Sequence, residues 1–248
     1  MAAKSFGVAL ITGASQGIGK AIASRLANDG FRIALNDIPS KDQQLKILSR
    51  EIERQSGMET YVAPADVTNE REVENMVEQT SKALGGLDVM IANAGIFPEG
   101  KMVIDLPAET LHKTFAVNLD GVFFCYKHAA RQMIAQGRGG RILGASSIAG
   151  RRSAGHFSAY TASKYAVRGL TQSLAMELAQ HGITVDAYAP GLINSPMSIE
   201  LQKDHVAVLA IVGLCNPVNF KFGEPEDIAS LVSYLVSKEA HYITGKCT

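Results

Sequence analysis

Several features that would narrow the function are scarce or missing in this chain of 248 residues. There is no tryptophan, and the three cysteines, Cys125, Cys215 and Cys247, form no C-x-x-C pair and have no histidine at metal-ligand spacing. This pattern argues against a metal site and against a disulfide framework. The 24 basic residues balance the 24 acidic residues, so no excess charge favours nucleic acid or an anionic membrane surface as a partner.

Long apolar runs are also missing. The longest, residues 206–214, has about half of the ~20 residues that a membrane-spanning helix needs. Residues 1–6 lead directly into an apolar run and do not have the form of a signal peptide. We therefore expect a cytoplasmic protein, with residues 1–248 forming one α/β domain without a linker or an internal repeat.

A glycine-rich turn lies between the first two predicted elements. Residues 8–12 form a short apolar run that is typical of a buried parallel strand, and a helical pattern extends to residue 28. Between them, Gly13, Gly17 and Gly19 permit a tight turn and a close approach of the backbone to a pyrophosphate. The N-terminus of the helix adds free N–H groups, so this context predicts a dinucleotide site.

The second predicted strand, residues 31–36, is followed by an acidic residue, Asp37. Its carboxylate can accept hydrogen bonds from a ribose 2′- and 3′-hydroxyl, and it would repel a 2′-phosphate. The next residue, Ile38, offers no positive charge to such a phosphate. The pair therefore favours NAD over NADP as the cofactor. Alternatively, Asp37 only opens the loop that continues with Pro39.

Polar or glycine-containing segments also follow the third and fourth predicted strands, residues 62–67 and 89–92. An acid at the end of the third strand can accept a hydrogen bond from an adenine amino group, and the turn after the fourth brings backbone close to a cofactor. Roles as a helix N-cap or a turn are the alternatives. The residues concerned are Asp66, Val67, Asn93, Ala94 and Gly95.

A tyrosine and a lysine are spaced for acid–base chemistry. Tyr160 and Lys164 lie four positions apart on a predicted helix, residues 158–181, and so share one face. A positive charge beside a phenol lowers the pKa of the phenol from its ordinary value of roughly 10. Ser147 can bring a hydroxyl to the same point, and the three groups together can move a proton on or off an alcohol oxygen. The alternative for the tyrosine–lysine pair is a solvated helix face.

Residues 107–136 are predicted to form one long helix with Asn118 near its middle. Asparagine has poor helix propensity, and the neighbours of Asn118 are apolar, so we expect a local distortion that frees a backbone carbonyl. Strand and helix patterns alternate along the chain. This alternation predicts a Rossmann-type doubly wound parallel sheet with helices on both faces.

Taken together, the chain resembles the short-chain dehydrogenase/reductase family in its single-domain form, and more loosely the acetoin/diacetyl reductases and related polyol dehydrogenases. The resemblance implies an NAD-dependent oxidoreductase acting on alcohols and ketones, and a homo-oligomer, either a tetramer or a dimer. The matching motifs are Thr12-Gly13-x-x-x-Gly17-Ile18-Gly19, Asp66, Asn93-Ala94-Gly95, Asn118, Ser147, Tyr160-x-x-x-Lys164 and Pro190-Gly191.

The resemblance also implies roles for the candidate catalytic residues. Tyr160 would be the general acid/base, and Lys164 would lower its pKa and bind the nicotinamide ribose. Ser147 would hold the substrate oxygen, and Asn118 would anchor a water that links Lys164 to solvent.

Cofactor contacts are implied along most of the chain, with Ile193 and Ser195, after Pro190-Gly191, meeting the nicotinamide carboxamide. The cofactor is expected to be NAD, with NADP as the less favoured alternative. The full set of expected contacts is Gly13, Ser15, Gln16, Ile18, Gly19, Asp37, Asp66, Val67, Asn93, Ala94, Gly95, Tyr160, Lys164, Pro190, Gly191, Ile193 and Ser195.

Residues 196–221 are expected to cap the substrate end as a small helical lid, because they are markedly apolar. Ordinary packing of a capping helix is the alternative. Phe97 and His156 are expected in the pocket wall with Ser147 and Tyr160, His156 binding a second substrate oxygen or, alternatively, lying on the surface. The substrate is then a lipophilic or aromatic alcohol or quinol of secondary metabolism, or a small diol or hydroxyketone.

Two further expectations concern an alternative function and the end of the chain. A non-catalytic dinucleotide sensor is the alternative function, although such proteins usually lose the tyrosine or the lysine. Family members normally continue beyond Thr244-Gly245 with a last strand and a Gly-Gly turn, whereas this sequence reads Lys246-Cys247-Thr248 there. We therefore expect a sheet edge that is either truncated or completed differently.

Overall fold

The computed structural model describes residues 6–153, 155–203 and 222–248, with the backbone alone for residues 200–203. In these ranges six parallel strands form one sheet in the order β3-β2-β1-β4-β5-β6. The strands are β1 (Val8–Ile11), β2 (Arg32–Leu35), β3 (Thr60–Val62), β4 (Val89–Ala92), β5 (Gly140–Ala145) and β6 (Ile183–Tyr188).

Helices cover both faces of the sheet, which confirms the predicted Rossmann-type architecture. One core packs α1, α2 and α8 against the sheet, and the other packs α3, α5 and α6 against the opposite face. The helices are α1 (Gly17–Asn28), α2 (Asp42–Ser56), α3 (Glu70–Leu84), α4 (Ala108–Phe115), α5 (Gly121–Gln136), α6 (Ser158–Leu178), α7 (Pro196–Lys203) and α8 (Pro225–Val236).

The third strand differs from the prediction. It was expected at residues 62–67, whereas β3 ends at Val62. Beyond Val62 the N–H groups of Ala63 and Ala65 still donate to the carbonyls of Leu35 and Asp37, at 2.9 Å and 3.0 Å. The side-chain amide of Asn36, however, donates to the carbonyls of Ala63 and Ala65 at 2.9 Å and 3.2 Å. A side chain therefore binds these carbonyls where a neighbouring strand would otherwise do so. The prediction placed this strand too far along the chain.

The long helix predicted for residues 107–136 is interrupted at Asn118, as expected. Between α4 and α5, residues Ala116–Asp120 form a π-helical turn, in which the N–H of Gly121 donates to the carbonyl of Ala116. The wider turn displaces the regular hydrogen-bond ladder. Asn118 lies fully buried within it.

The outer edge of β6 is covered by the last residues of the chain. The N–H of Ala187 donates to the carbonyl of Lys246 at 2.8 Å, and the N–H of Thr248 donates to the carbonyl of Ala187 at 2.9 Å. The Lys246 N–H donates to the buried carboxylate of Asp186 at 2.9 Å. These bonds hold residues 246–248 alongside β6.

Only the first part of the predicted lid can be compared with the structure. Helix α7 occupies its beginning, and residues 204–221 lie outside the described residues. Among the helices that are described, none combines the length and the apolar character required to span a membrane.

Candidate active site

A cavity of about 710 Å³ opens at the carboxyl ends of the strands. This edge is where open parallel sheets bind ligands. Most of the predicted site residues line it, namely Gly13, Gln16, Ile18, Gly19, Asp37, Asp66, Val67, Asn93, Ala94, Gly95, Phe97, Ser147, Tyr160, Lys164, Pro190, Gly191, Ile193 and Ser195.

Three predicted residues do not line the cavity. Asn118 is buried behind it, and Ser15 lies in the glycine-rich turn beside it. His156 is exposed, with a left-handed backbone (φ 68°), and its carbonyl accepts a hydrogen bond from the N–H of Lys101 at 2.8 Å. The expectation that His156 contributes to the pocket wall is therefore wrong in this structure, because the turn before α6 leaves its side chain on the surface.

The glycine-rich turn has the geometry of a phosphate cradle. Gly13 has a φ of +64°, and a Cβ atom on Gly19 would lie 2.2 Å from the carbonyl oxygen of Gly13, so only glycine fits there. Helix α1 begins at Gly17 and presents its free N–H groups to the cavity. The hydroxyl of Ser15 is buried without a hydrogen-bond partner among the described residues. These features fit the diphosphate of a nicotinamide dinucleotide.

Two acidic residues lie at the far end of the cavity. The carboxylate of Asp37 accepts hydrogen bonds from the N–H of Ile38 at 2.9 Å and of Ser15 at 3.2 Å, which holds it at the rim. The carboxylate of Asp66 accepts from both the N–H and the hydroxyl of Thr68, at 2.9 Å and 2.8 Å. Asp66 therefore forms the turn that was considered as its alternative role, while still lining the cavity.

Ser147, Tyr160 and Lys164 meet at the other end of the cavity. Ser147 follows β5 and hydrogen-bonds the side chain of Tyr160, and its hydroxyl accepts from the N–H of Ala149 at 3.1 Å. The ammonium of Lys164 donates to the carbonyl of Ala145 at 2.8 Å and lies 5.5 Å from the centre of the Tyr160 ring. All three side chains are buried.

Close packing of α6 against the end of β5 brings these groups together. The hydroxyl of Ser146 donates to the carbonyl of Lys164 at 3.1 Å. A Cβ atom on Gly150 would lie 2.7 Å from that same carbonyl oxygen, so the approach requires glycine. The placement of Ser147 beside Tyr160 and Lys164 thus depends on Gly150, a residue that takes no part in the reaction itself.

Burial is the main influence on the pKa values of Tyr160 and Lys164. It raises the pKa of Tyr160, and only the hydrogen bond with Ser147 opposes it. It also lowers the pKa of Lys164 from 10.5 to about 8. In this structure the hydrogen bond of the Lys164 ammonium goes to the Ala145 carbonyl, and a lowering of the Tyr160 pKa by Lys164 stays a prediction.

Asn118 supports the reacting end from behind. Its side-chain carbonyl accepts from the N–H of Ile96 at 2.8 Å, and its amide donates to the carbonyl of Ile96 at 2.9 Å and to the hydroxyl of Ser163 at 3.2 Å. That hydroxyl donates in turn to the carbonyl of Tyr160 at 2.7 Å. Since these bonds occupy both ends of the side-chain amide, a water relay remains a prediction that would use the backbone of Asn118.

Aromatic rings form the wall next to Tyr160. The ring of Phe97 lies 4.6 Å from that of Tyr160, edge to face, and 4.9 Å from that of Phe157. Ala149 and Leu192 pack against this group. Among the described residues, no group of His, Cys, Asp or Glu side chains could hold a metal ion.

Several cavity residues were not predicted from the sequence, among them Asn36, Ser146 and Tyr188. Tyr188, the last residue of β6, is fully buried and lines the cavity. The available signal was its position, because a tyrosine that ends a buried strand brings a polar hydroxyl to the edge where the other site residues lie.

Comparisons with known proteins agree with this geometry. A family model described as short chain dehydrogenase matches residues 7–206. The chain is 47% identical over 247 residues to a short-chain dehydrogenase/reductase of Hericium erinaceus, covering 97% of this chain and 94% of that protein. It is 37% identical over 251 residues to an L-2,3-butanediol dehydrogenase of Corynebacterium glutamicum, covering 96% and 95%. The crystal structure of an acetoin dehydrogenase from Salmonella typhimurium matches with a TM-score of 0.83 at 33% identity, covering 97% of this chain and 92% of that one.

Proposed function

The chain belongs to the short-chain dehydrogenase/reductase family, and from that premise we propose that it is an NAD(H)-dependent enzyme interconverting a secondary alcohol and a ketone. The observation that carries the proposal is the convergence of Ser147, Tyr160 and Lys164 beside a phosphate cradle in one cavity. A panel of diketones, polyols, aromatic alcohols and quinols, assayed with each nicotinamide cofactor, tests it. If the protein binds the cofactor but turns over none of these compounds, the alcohol–ketone assignment is contradicted for these classes.

In this mechanism the turn at residues 13–19 would hold the diphosphate of the cofactor, and Asp37 would hold its ribose hydroxyls. When bound, the nicotinamide supplies the hydride acceptor or donor. The residues of the chain position the substrate and move the proton. Ser147 binds the substrate oxygen. In the reduction Tyr160 gives its proton to the ketone oxygen, and in the oxidation it takes the alcohol proton as its own proton leaves toward neutral Lys164.

Lys164 has a second role as a proton carrier. Burial lowers its pKa to about 8, so the ammonium gives up and regains a proton within the physiological range of pH. The Lys164 ammonium lies 5.5 Å from the centre of the Tyr160 ring. A Cβ atom on Gly95 would lie 3.4 Å from that ammonium and 3.2 Å from the side-chain carbonyl of Asn118, so the ammonium also lies near the π-helical turn. We assign the passage of the proton toward solvent to Lys164 and the backbone of Asn118.

Preference for NAD depends in this proposal on the carboxylate of Asp37. We expect the double substitution Asp37→Ser and Ile38→Arg to shift the ratio of kcat/KM for NADP over NAD by about 100-fold or more, because it replaces repulsion of a 2′-phosphate by a charge-assisted hydrogen bond. Steady-state kinetics with both cofactors measure the shift. Asp42→Ser, which removes a carboxylate from α2 outside the cavity, is the matched control. A wild-type enzyme that already prefers NADP would contradict the role of Asp37.

Two substrate classes remain candidates. The relatives named for butanediol and acetoin favour a small diol or hydroxyketone. The packing of Phe97, Phe157 and Leu192 around Tyr160 favours a lipophilic or aromatic alcohol or a quinol instead. We favour the second class, because His156, the residue expected to bind a second substrate oxygen, lies outside the cavity.

Substitution of Phe97 discriminates between these classes. We expect Phe97→Ala to lower kcat/KM for an aromatic alcohol about 10-fold more than for acetoin, since the ring offers a stacking surface that a four-carbon substrate does not use fully. The two values are measured in the same preparation. Phe6→Ala, which removes an exposed ring outside the cavity, serves as the control. A larger loss for acetoin than for the aromatic alcohol would favour the small substrates.

We further propose that the enzyme acts as a homo-oligomer in the cytoplasm. Helices α5 and α6 carry exposed apolar side chains outside the cavity, including Phe123, Ile134, Tyr165 and Met176, of which Met176 is 84% exposed. Apolar side chains on neighbouring helices are suited to burial against another copy of the chain.

A further inference from the structure

The hydroxyl of Tyr188 makes a hydrogen bond across β5 to the residue that follows β4. It donates to the side-chain carbonyl of Asn93 at 3.0 Å. The register places Ala145 beside Tyr188, and Ala92 beside Gly144, so Tyr188, Ala145 and Asn93 lie in one row across three strands. The two side chains and the bond between them thus bridge two inter-strand spacings, about 9.6 Å in total. The small side chain of Ala145 leaves room for the phenol to cross.

Asn93 also forms hydrogen bonds with the start of the glycine-rich turn. Its amide donates to the carbonyl of Thr12 at 2.9 Å and to the carbonyl of Gly13 at 3.3 Å. The hydroxyl of Thr12 accepts the N–H groups of Asn93 and Ala94, each at 3.0 Å. The orientation of the Asn93 amide therefore determines where the first carbonyls of the turn lie.

The hydroxyl of Tyr188 is suited to hold that orientation. Tyr188 is fully buried, and burial raises its pKa well above 10, so the hydroxyl keeps its proton and donates. Its own carbonyl accepts the N–H of Ser146 at 2.8 Å, which ties Tyr188 to the segment that carries Ser147. The same residue thus contacts the segment that leads to the reacting end and, through Asn93, the phosphate cradle.

We propose that Tyr188 is a positioning residue for the cofactor, acting through Asn93 to hold the glycine-rich turn in the conformation that binds the diphosphate. The inference rests on the proposed nicotinamide dinucleotide as the cofactor. The hydroxyl of Tyr188 contacts none of the residues that transfer the proton. Its removal therefore changes cofactor binding and not the chemical step.

The test compares Tyr188→Phe with Tyr126→Phe. Tyr126 is also fully buried, and its hydroxyl shares a hydrogen bond of 3.0 Å with Thr171, but it does not line the cavity. Amide hydrogen exchange of residues 13–19 in the cofactor-free protein should be about 5- to 10-fold faster in Tyr188→Phe and unchanged in Tyr126→Phe. The dissociation constant for NADH should rise by the same factor in Tyr188→Phe only, with kcat within about 2-fold of wild type.

A double variant tests whether the effect passes through Asn93. In an Asn93→Ser background, Tyr188→Phe should add nothing further to the dissociation constant for NADH, because the partner of the hydroxyl is already gone. Additive effects, unchanged exchange at residues 13–19, or equal changes in Tyr126→Phe would each overturn the inference. Failure of the wild-type protein to bind NADH and NADPH would overturn the proposed function and the cofactor role of Tyr188 together, whereas the exchange measurement judges the Tyr188–Asn93 connection on its own.

Discussion

Substitution Tyr160→Phe is expected to lower kcat by about 10³-fold in both directions of the reaction, since positioned acid–base groups contribute roughly 10²–10⁴-fold. The phenylalanine ring keeps the contacts of Tyr160 with Phe97 and Phe157, and only the hydroxyl is lost. Ser147 retains its bond to the N–H of Ala149, so the site keeps its shape. Binding of NADH and the thermal midpoint should therefore stay close to wild type while turnover disappears.

The control for this experiment lies on the same helix. Tyr165 is 41% exposed on α6, and Tyr165→Phe removes a hydroxyl without touching the cavity. It should leave kcat within about 2-fold of wild type. Retained turnover in Tyr160→Phe would exclude the proposed acid–base role, and loss of NADH binding in that variant would show that the hydroxyl serves the cofactor instead.

The parts of the fold that local patterns determine were predictable from the sequence. Strand β4 was predicted with its observed bounds, and helix α6 with its observed start, because a short apolar run and a long amphipathic pattern each point to one structure. The interruption at Asn118 was also predictable, since a polar residue of poor helix propensity stood among apolar neighbours.

The errors came from contacts between residues distant in sequence. The end of β3 depends on the side chain of Asn36, which is 27 positions from Ala63. The exposure of His156 depends on a left-handed turn that a non-glycine residue rarely adopts. The position of Tyr188 at a strand end was a local signal, but its hydrogen-bond partner lies 95 positions away. No local pattern contains such information.

Motif spacing pointed to residues that line one cavity, but it carried no information about their electrostatic surroundings. Spacing placed Tyr160 and Lys164 on one face of α6, and the structure places both in the cavity. Spacing could not reveal that both groups are buried, nor that the ammonium of Lys164 donates to the carbonyl of Ala145. The protonation of the pair follows from that burial.

Lys164→Met is expected to stabilise the protein near neutral pH while it lowers kcat about 100-fold or more. Methionine has a similar length and carries no charge. Below pH 8 the lysine is protonated in both the folded and the unfolded state, so wild type bears the full cost of burying the ammonium. The difference between a pKa of 10.5 and one of about 8 corresponds to about 3 kcal/mol. The lost bond to the Ala145 carbonyl offsets about 1 kcal/mol or more of that gain.

The pH dependence separates these two contributions. Between pH 8 and 10.5 the folded wild type is neutral at Lys164 while the unfolded chain is still charged, so the unfolded state binds more protons and wild-type stability rises with pH. The advantage of Lys164→Met, measured by denaturant unfolding, should therefore shrink by about 2 kcal/mol from pH 7 to pH 10, whereas the lost hydrogen bond costs the same at both. Lys238→Met, at an exposed position on the surface, should show no such change. An equal loss of stability at both pH values would mean that the buried ammonium carries no penalty, and with it the reason for a proton carrier at this position would disappear.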